Sequence, residues 1–219
     1  MNVIAVDGPG GAGKSTVSRK LAERLGWLHL DTGAYYRAAT LAALRAGVDL
    51  EDEDEVLEVV KLLRLRQEHG LMLLNGAAVS EEIRSAEVTA AASTVAAHGR
   101  VRAVIVRQQR QWVAGQKQPV VVEGRDIGTV VFPAAELKIW LEASESERVR
   151  RRAEETGQPE EEVEGDLARR DHADASRAAS PSRPAADAIR LDTTNLGVEA
   201  VVARIVQMLP VDEVFRPPV

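Results

Sequence analysis

Four glycines, one lysine and two hydroxyls separate an apolar run from an amphipathic one near the start of this chain. The run is "VIAV" (Val3–Val6), closed by Asp7, and the loop is "GPGGAGKST" (Gly8–Thr16). Beyond it, Ser15–Gly26 sets Val17, Leu21, Ala22 and Leu25 at helical spacing and stops at Gly26. The apolar run has no polar alternation, so it reads as a strand buried on both faces. A buried strand, a glycine loop and a helix in that order commit the chain to an α/β architecture.

The same alternation continues. "WLHLD" (Trp27–Asp31), "PVVVEG" (Pro119–Gly124), "LKIWLEA" (Leu137–Ala143) and "AIRLDTT" (Ala188–Thr194) read as further strands, which makes about five. Helices are expected over Gly33–Gly47, from "EDEDE" (Glu51–Glu55) through "VLEVVKLLRL", from Val88 to Trp112, from Ser144, and over Gly197–Leu209. Ser144 followed by Glu147 is a capping-box pattern. Between Gly70 and Ser85 the texture changes: Asn75-Gly76 parts two short apolar runs, a hairpin signal. The expected organisation is one unit, with 1–60 and 86–219 as core and a small β insert over about 61–90. The final "RPPV" reads as a loose tail.

Composition narrows the function classes. No run of about 18 apolar residues exists to cross a membrane, and no basic-then-apolar leader opens the chain. Cysteine is absent, which removes disulfides, thiolate metal sites and cysteine nucleophiles and is compatible with a cytoplasmic address. The net charge is −6, which disfavours a general nucleic-acid binder. Yet 23 of the 28 cationic residues are arginines, the side chain suited to forked recognition of phosphate and carboxylate.

Gly8-x-x-x-x-Gly13-Lys14-Ser15 fits the phosphate-binding loop (P-loop) pattern in its required strand–loop–helix setting. Through Gly8, Pro9, Gly10, Gly11, Ala12 and Gly13, successive N–H groups can turn inward around phosphate oxygens. The following helix adds the positive end of its dipole. Lys14 is the candidate for neutralising β- and γ-phosphates, and Ser15 for offering a hydroxyl to Mg²⁺, with Thr16 beside it. An Asn-Lys-x-Asp guanine reader is absent.

Arginines gather at other expected strand ends. Arg37 follows Asp31; Arg125 and Asp126 follow Glu123; Arg170, Asp174 and Arg177 stand at spacings of four and three on one helical stretch; Arg102 lies in another. Converging, they would form a second anionic site, and two phosphate sites imply transfer between them. Transfer to a phosphate acceptor needs alignment and charge neutralisation more than a general base. That suits four histidines, His29, His69, His98 and His172, with no evident catalytic partners. "RVRRR" (Arg148–Arg152) followed by "GQPEEEVEGD" reads either as a mobile lid over about 148–166, pivoting at Gly157 and Gly165, or as a solvated charged helix. In the lid reading Arg148 and Arg152 approach the donor phosphates.

Together, "IAVDGPGGAGKST", "LDTGAYYR", "VEGRDIGTVVFP", "RRD…D..R" and "PAADAIRLDTT" resemble the bacterial cytidylate kinases, a family of nucleoside monophosphate kinases, over nearly the whole chain. The resemblance implies a P-loop kinase fold and a monomeric cytosolic enzyme that moves the γ-phosphate of ATP to CMP or dCMP with Mg²⁺. Carried onto this sequence, it implies an acceptor-phosphate clamp of Arg37, Arg102 and Arg125, with Arg170 near the transferring phosphate. Asp174 would meet the ribose. Ser93, Arg102, Asp126 and Arg177 would meet the cytosine, with Thr32 where many relatives have Ser. Lys14, Arg125 and Arg170 become the catalytic candidates. Ser15 would meet the metal, with Asp31 and Glu123 reaching it through water. A kinase for another small acceptor such as shikimate, and a regulatory module that holds ATP without transfer, stay open as alternatives.

Overall fold

A computed structural model describes residues 3 to 209. The chain divides into two compact units, one of residues up to His29 together with those from Lys117 onward, the other Leu30–Gln116. The first, the core unit, opens with β1 (Val3–Asp7), α1 (Lys14–Leu25) and the start of β2 (Leu28–Asp31). The middle unit then carries α2 (Thr32–Ala46), α3 (Glu53–Lys61), β3 (Leu65–Glu68), β4 (Leu71–Leu74), β5 (Ala77–Ala78), α4 (Ala86–Ala97) and α5 (Gly99–Ala114). Within the core unit again follow β6 (Val120–Glu123), β7 (Leu137–Glu142), α6 (Glu145–Thr156), α7 (Glu160–Ser176), β8 (Ile189–Asp192) and α8 (Val198–Gln207).

Five strands form a parallel sheet in the order β2-β6-β1-β7-β8. β1 is central and all five of its residues are buried, which is why it shows no polar alternation. Ile4 and Val6 point to one face of the sheet, where Val17 and Leu21 of α1 meet Val202 and Ile205 of α8. Leu21 is fully buried there, and its truncation to alanine should cost about 2–5 kcal/mol. The direction of strand addition reverses at β1. The carboxyl ends of β1, β6 and β7 therefore open onto the crevice where such sheets hold ligands. Gly8, Gly124 and Ala143 directly follow those ends.

In the middle unit three short strands make an antiparallel sheet, β3-β4-β5. Asn75 and Gly76 have φ of 51° and 92° and join β4 to β5, as the sequence led us to expect. A second turn of the same kind, His69-Gly70 (φ 49° and 78°), joins β3 to β4. It was not foreseen because Leu65 reads as the end of a helix. In fact α3 stops at Lys61, and Leu65–Glu68 alternates buried and exposed. One of its two buried members, Gln67, is polar, so the period of two was disguised. Its side chain accepts the Asp31 N–H at 3.0 Å and its carbonyl accepts Trp112 Nε1–H at 2.7 Å.

Three further expectations need correction. The helix over Val88–Trp112 is two helices broken at His98, which adopts extended ψ and whose Nε2 lies 2.8 Å from the Leu50 carbonyl. The capping box at Ser144 is only half made. Ser144 Oγ accepts the Glu147 N–H at 3.3 Å, but the Glu147 carboxylate accepts instead from Arg150 and Arg151. Gly157 ends α6 in the left-handed conformation (φ 70°), whereas Gly165 lies inside α7 and is no pivot. The "RPPV" tail lies outside the described residues.

Candidate functional site

β1 delivers the chain into the loop with almost no clearance. A Cβ on Gly8 would stand 2.1 Å from the Leu141 carbonyl oxygen of β7, so no side chain fits. After the loop, Gly13 caps α1, and Lys14 and Ser15 occupy its first turn. The Lys14 ammonium is buried and donates to the Pro9 carbonyl at 2.7 Å. Burial first, and the nearby Arg125 guanidinium second, lower its pKa to about 7; Glu123, Asp171 and Asp174 oppose that fall. Anions beside this lysine would favour its charged form and raise the pKa again.

Ser15 is exposed and donates to Glu123 Oε2 at 2.7 Å, while His29 Nε2 lies 2.9 Å from Glu123 Oε1. A hydroxyl and a carboxylate at a helix N-terminus form a hard oxygen pair. They fit Mg²⁺, which keeps several waters and takes further ligands from substrate phosphates. No larger cluster of His, Asp and Glu able to hold a metal occurs among the described residues. Asp31 has partners of its own in the middle unit. Its Oδ1 accepts the Ala34 N–H at 3.0 Å as the cap of α2, and its Oδ2 accepts from Arg37 at 2.8 Å.

Beyond β6, Arg125 Nε donates to Asp174 Oδ2 at 2.8 Å, and Arg177 donates to Asp174 Oδ1. Three of the candidates are thus joined, with Asp174 buried and Arg170 one turn earlier on α7. Asp126, also buried, begins a π-helical turn, Ile127–Val131. Asp7 fixes that turn: its two carboxylate oxygens accept the N–H groups of Ile127 and Gly128, both at 2.8 Å. Burial raises the Asp7 pKa to about 6 despite these bonds, with Asp126 adding to the rise. Sequence reading passed over Asp7. An apolar strand ending in Asp before a glycine was the available signal.

In the middle unit, Arg102 is buried, donates to the Ala96 carbonyl at 3.1 Å and lies over the Tyr36 ring, 5.1 Å from its centroid. Thr32 starts α2 and is buried; Ser93 is half-buried on α4.

The arginines of α6 take different partners. Arg148 Nη1 donates to the Gly10 carbonyl at 3.0 Å and pairs with Asp171. Among the described residues Arg152 pairs with Glu155 on its own helix at 2.8 Å and does not reach the loop. Arg151 does. Its Nη1 and Nη2 donate to Thr193 Oγ1 (3.0 Å) and Thr193 O (2.7 Å), and Nη1 lies 3.7 Å from where a Gly13 Cβ would be. Residues 148, 151 and 152 share one helical face, so spacing alone does not choose between 151 and 152.

A glycine loop between a central parallel strand and a helix, with a buried lysine in it and arginines after the neighbouring strands, defines a P-loop protein of the kinase type. The Cytidylate kinase family model matches residues 4–210. A Geobacillus kaustophilus cytidylate kinase is 46% identical over 94% of this chain and 95% of its own length. One from Rhodococcus jostii is 48% identical over 93% and 92%. The chain belongs to the cytidylate kinase family. In fold alone, solved structures from Eubacterium ventriosum and Thermus thermophilus are similar. They have TM-scores of 0.55 and 0.50, identities of 12% and 19%, and each comparison covers 95% of this chain and 98% of theirs. No helix among the described residues is long and apolar enough to cross a membrane.

Proposed function

We propose that this chain transfers the γ-phosphate of ATP to CMP and dCMP, as a cytosolic monomer in pyrimidine nucleotide metabolism. The observation that supports the reading is a pair of features following neighbouring strands of the core unit's sheet. One is an amide-lined loop with Lys14; the other is Arg125 locked to Asp174 and Arg177.

The donor triphosphate sits in the Gly8–Thr16 loop, with Lys14 against its β- and γ-phosphates and Arg148 above them. Ser15 would hold Mg²⁺ directly and Glu123 through water, and the ion would neutralise charge on the β- and γ-oxygens. Arg37, Arg102 and Arg125 take the acceptor phosphate, and Arg170 meets the group in transit. The acceptor's phosphate oxygen is already ionised, so no side chain need remove a proton; in-line alignment and guanidinium charge supply the catalysis. Asp174 takes the ribose hydroxyls.

Base choice follows from hydrogen-bond polarity. Asp126 accepts from the cytosine 4-amino group, and Arg102 and Arg177 donate to the N3 and O2 edge, with Ser93 and Thr32 completing the contacts. Uracil would bring a carbonyl toward the Asp126 carboxylate. Opposed buried polar groups of this kind discriminate by orders of magnitude. ADP release measured over CMP, dCMP, UMP, AMP and shikimate tests the reading. CMP and dCMP should turn over at least a hundredfold faster than AMP, and equal rates with CMP and AMP would overturn it.

A further inference from the structure

α6 and α7 pack on each other through a small core of their own, Val149, Val163 and Leu167, with Ala153 against it. This pair touches the phosphate loop through backbone and rigid side chains. A Cβ on Gly10 would stand 2.7 Å from Leu167 Cδ2, and one on Gly11 would stand 2.7 Å from the Arg148 carbonyl oxygen.

Three polar contacts close a ring at the same place. Asp171 Oδ1 accepts the Gly10 N–H at 3.0 Å, and its Oδ2 accepts from Arg148 Nη1. That same Nη1 donates to the Gly10 carbonyl at 3.0 Å. Both polar groups of one loop residue and both oxygens of one carboxylate are thereby used. The other nitrogens of the Arg148 fork, Nε and Nη2, have no partner among the described residues. The arginine is held by one corner beside the loop, with two N–H-bearing edges left for oxygens of a ligand.

We propose that Asp171 is a positioning residue for the transfer: it fixes the direction of the Arg148 guanidinium and ties it to Gly10, and it acts on the donor only through Arg148. This rests on the reading above, in which Arg148 meets the donor phosphates. The Arg148 and Asp171 side chains are 14% and 23% exposed, so both groups give up much of their hydration and the attraction between them is offset by that cost. What the pair removes is the freedom of a long side chain, which would otherwise have to be ordered when the nucleotide binds. Asp171 is also among the charges that help keep Lys14 protonated, so its carboxylate lies within electrostatic reach of the same phosphates.

The test is a double-mutant cycle with purified full-length protein, read as kcat/KM for ATP and KM for CMP. Asp171→Ala should lower kcat/KM for ATP about tenfold and leave KM for CMP within twofold. Asp171→Asn keeps an oxygen for the Gly10 N–H but loses the charge. It should fall between, and it serves as the second variant if Asp171→Ala does not fold. Arg148→Ala should lower kcat/KM for ATP at least as much as Asp171→Ala, and the double variant should be no worse than Arg148→Ala within twofold. Multiplying defects in the double variant, or tighter ATP use by either Asp171 variant, overturns the inference. So does an unimpaired Asp171 variant beside an impaired Arg148→Ala, with the donor role of Arg148 left standing. If Arg148→Ala is itself unimpaired, that donor role fails first and the inference falls with it.

Discussion

Ser15 Oγ and Glu123 Oε2, 2.7 Å apart, join the first turn of α1 to the last residue of β6. The bond directs the hydroxyl, and the carboxylate that accepts it is buried and has His29 Nε2 2.9 Å from its other oxygen. Glu123→Gln keeps the shape and removes the charge. The Mg²⁺ concentration for half-maximal ADP release should rise about tenfold, equivalent to about 1.4 kcal/mol, with KM for CMP within twofold. An unchanged Mg²⁺ requirement would separate Glu123 from the metal.

Lys14 gives two expectations. In the proposed reaction its charge acts on the moving phosphoryl group, so Lys14→Ala should lower kcat by about 10²–10³-fold; near wild-type turnover would contradict the role. The second concerns pH. With a pKa of about 7 in the nucleotide-free protein, the side chain is largely neutral at pH 9. Bound phosphates favour the charged form, so ATP binding above pH 7 must take up a proton. From pH 7.5 to 9 the triphosphate itself stays ionised, since phosphate titrates near pH ~6. The Kd for ATP should therefore weaken about twentyfold across that interval in wild type and stay level in Lys14→Met, as read by calorimetry.

Much of this site was legible because its parts are local. The glycine loop needs only residues that follow one another, and the Asn75-Gly76 turn announces itself in two. What stayed hidden depends on partners far away in the chain. Gln67 is buried in a strand because Asp31 and Trp112 supply its bonds, and no nearby residue signals that. The π-helical turn at Ile127–Val131 exists where Asp7, 120 residues earlier, receives its first N–H. Helix periodicity named the face of α6 that carries Arg148, Arg151 and Arg152, but Thr193 decides which of them reaches Gly13.

That last choice is measurable. Arg151 holds Thr193, which is buried, and Thr193 Oγ1 lies 3.4 Å from the Ala12 carbonyl in the loop. Among the described residues the Arg152 side chain pairs only with Glu155. Arg151→Ala should raise KM for ATP about fivefold to tenfold, in line with the loss of a charged hydrogen bond of about 1.5 kcal/mol. Arg152→Ala should change it less than twofold. The reverse order would return the donor role to Arg152.

Asp7 makes stability depend on pH in a direction opposite to that of an ordinary paired carboxylate. Its pKa is raised from 3.8 to about 6 by burial, against the pull of the Gly128 and Ile127 amides. Between those values the folded state binds more protons than the unfolded chain, so this residue's contribution to stability is lost as pH rises from about 4 to 6. Asp7→Asn cannot titrate. The melting temperature of wild type minus that of Asp7→Asn should fall across the window and level off above it. A difference that rises with pH, or stays flat, would mean the buried carboxylate is ionised throughout.

Asp126 lies directly before the turn that Asp7 holds, buried and with no residue between it and the Ile127 amide. If its carboxylate accepts from the cytosine 4-amino group, its removal harms CMP through a lost bond and relieves UMP of an opposed pair. The two changes add in the ratio of kcat/KM for CMP over UMP, because each acts on only one base. Asp126→Ala should shrink that ratio at least tenfold while the Kd for ATP moves less than twofold. Both substrates carry the same phosphate and ribose, so a general loss of acceptor binding would lower the two values together and leave the ratio untouched. An unaltered ratio would therefore remove Asp126 from base recognition and leave Arg102, Arg177 and Ser93 to account for the preference for cytosine.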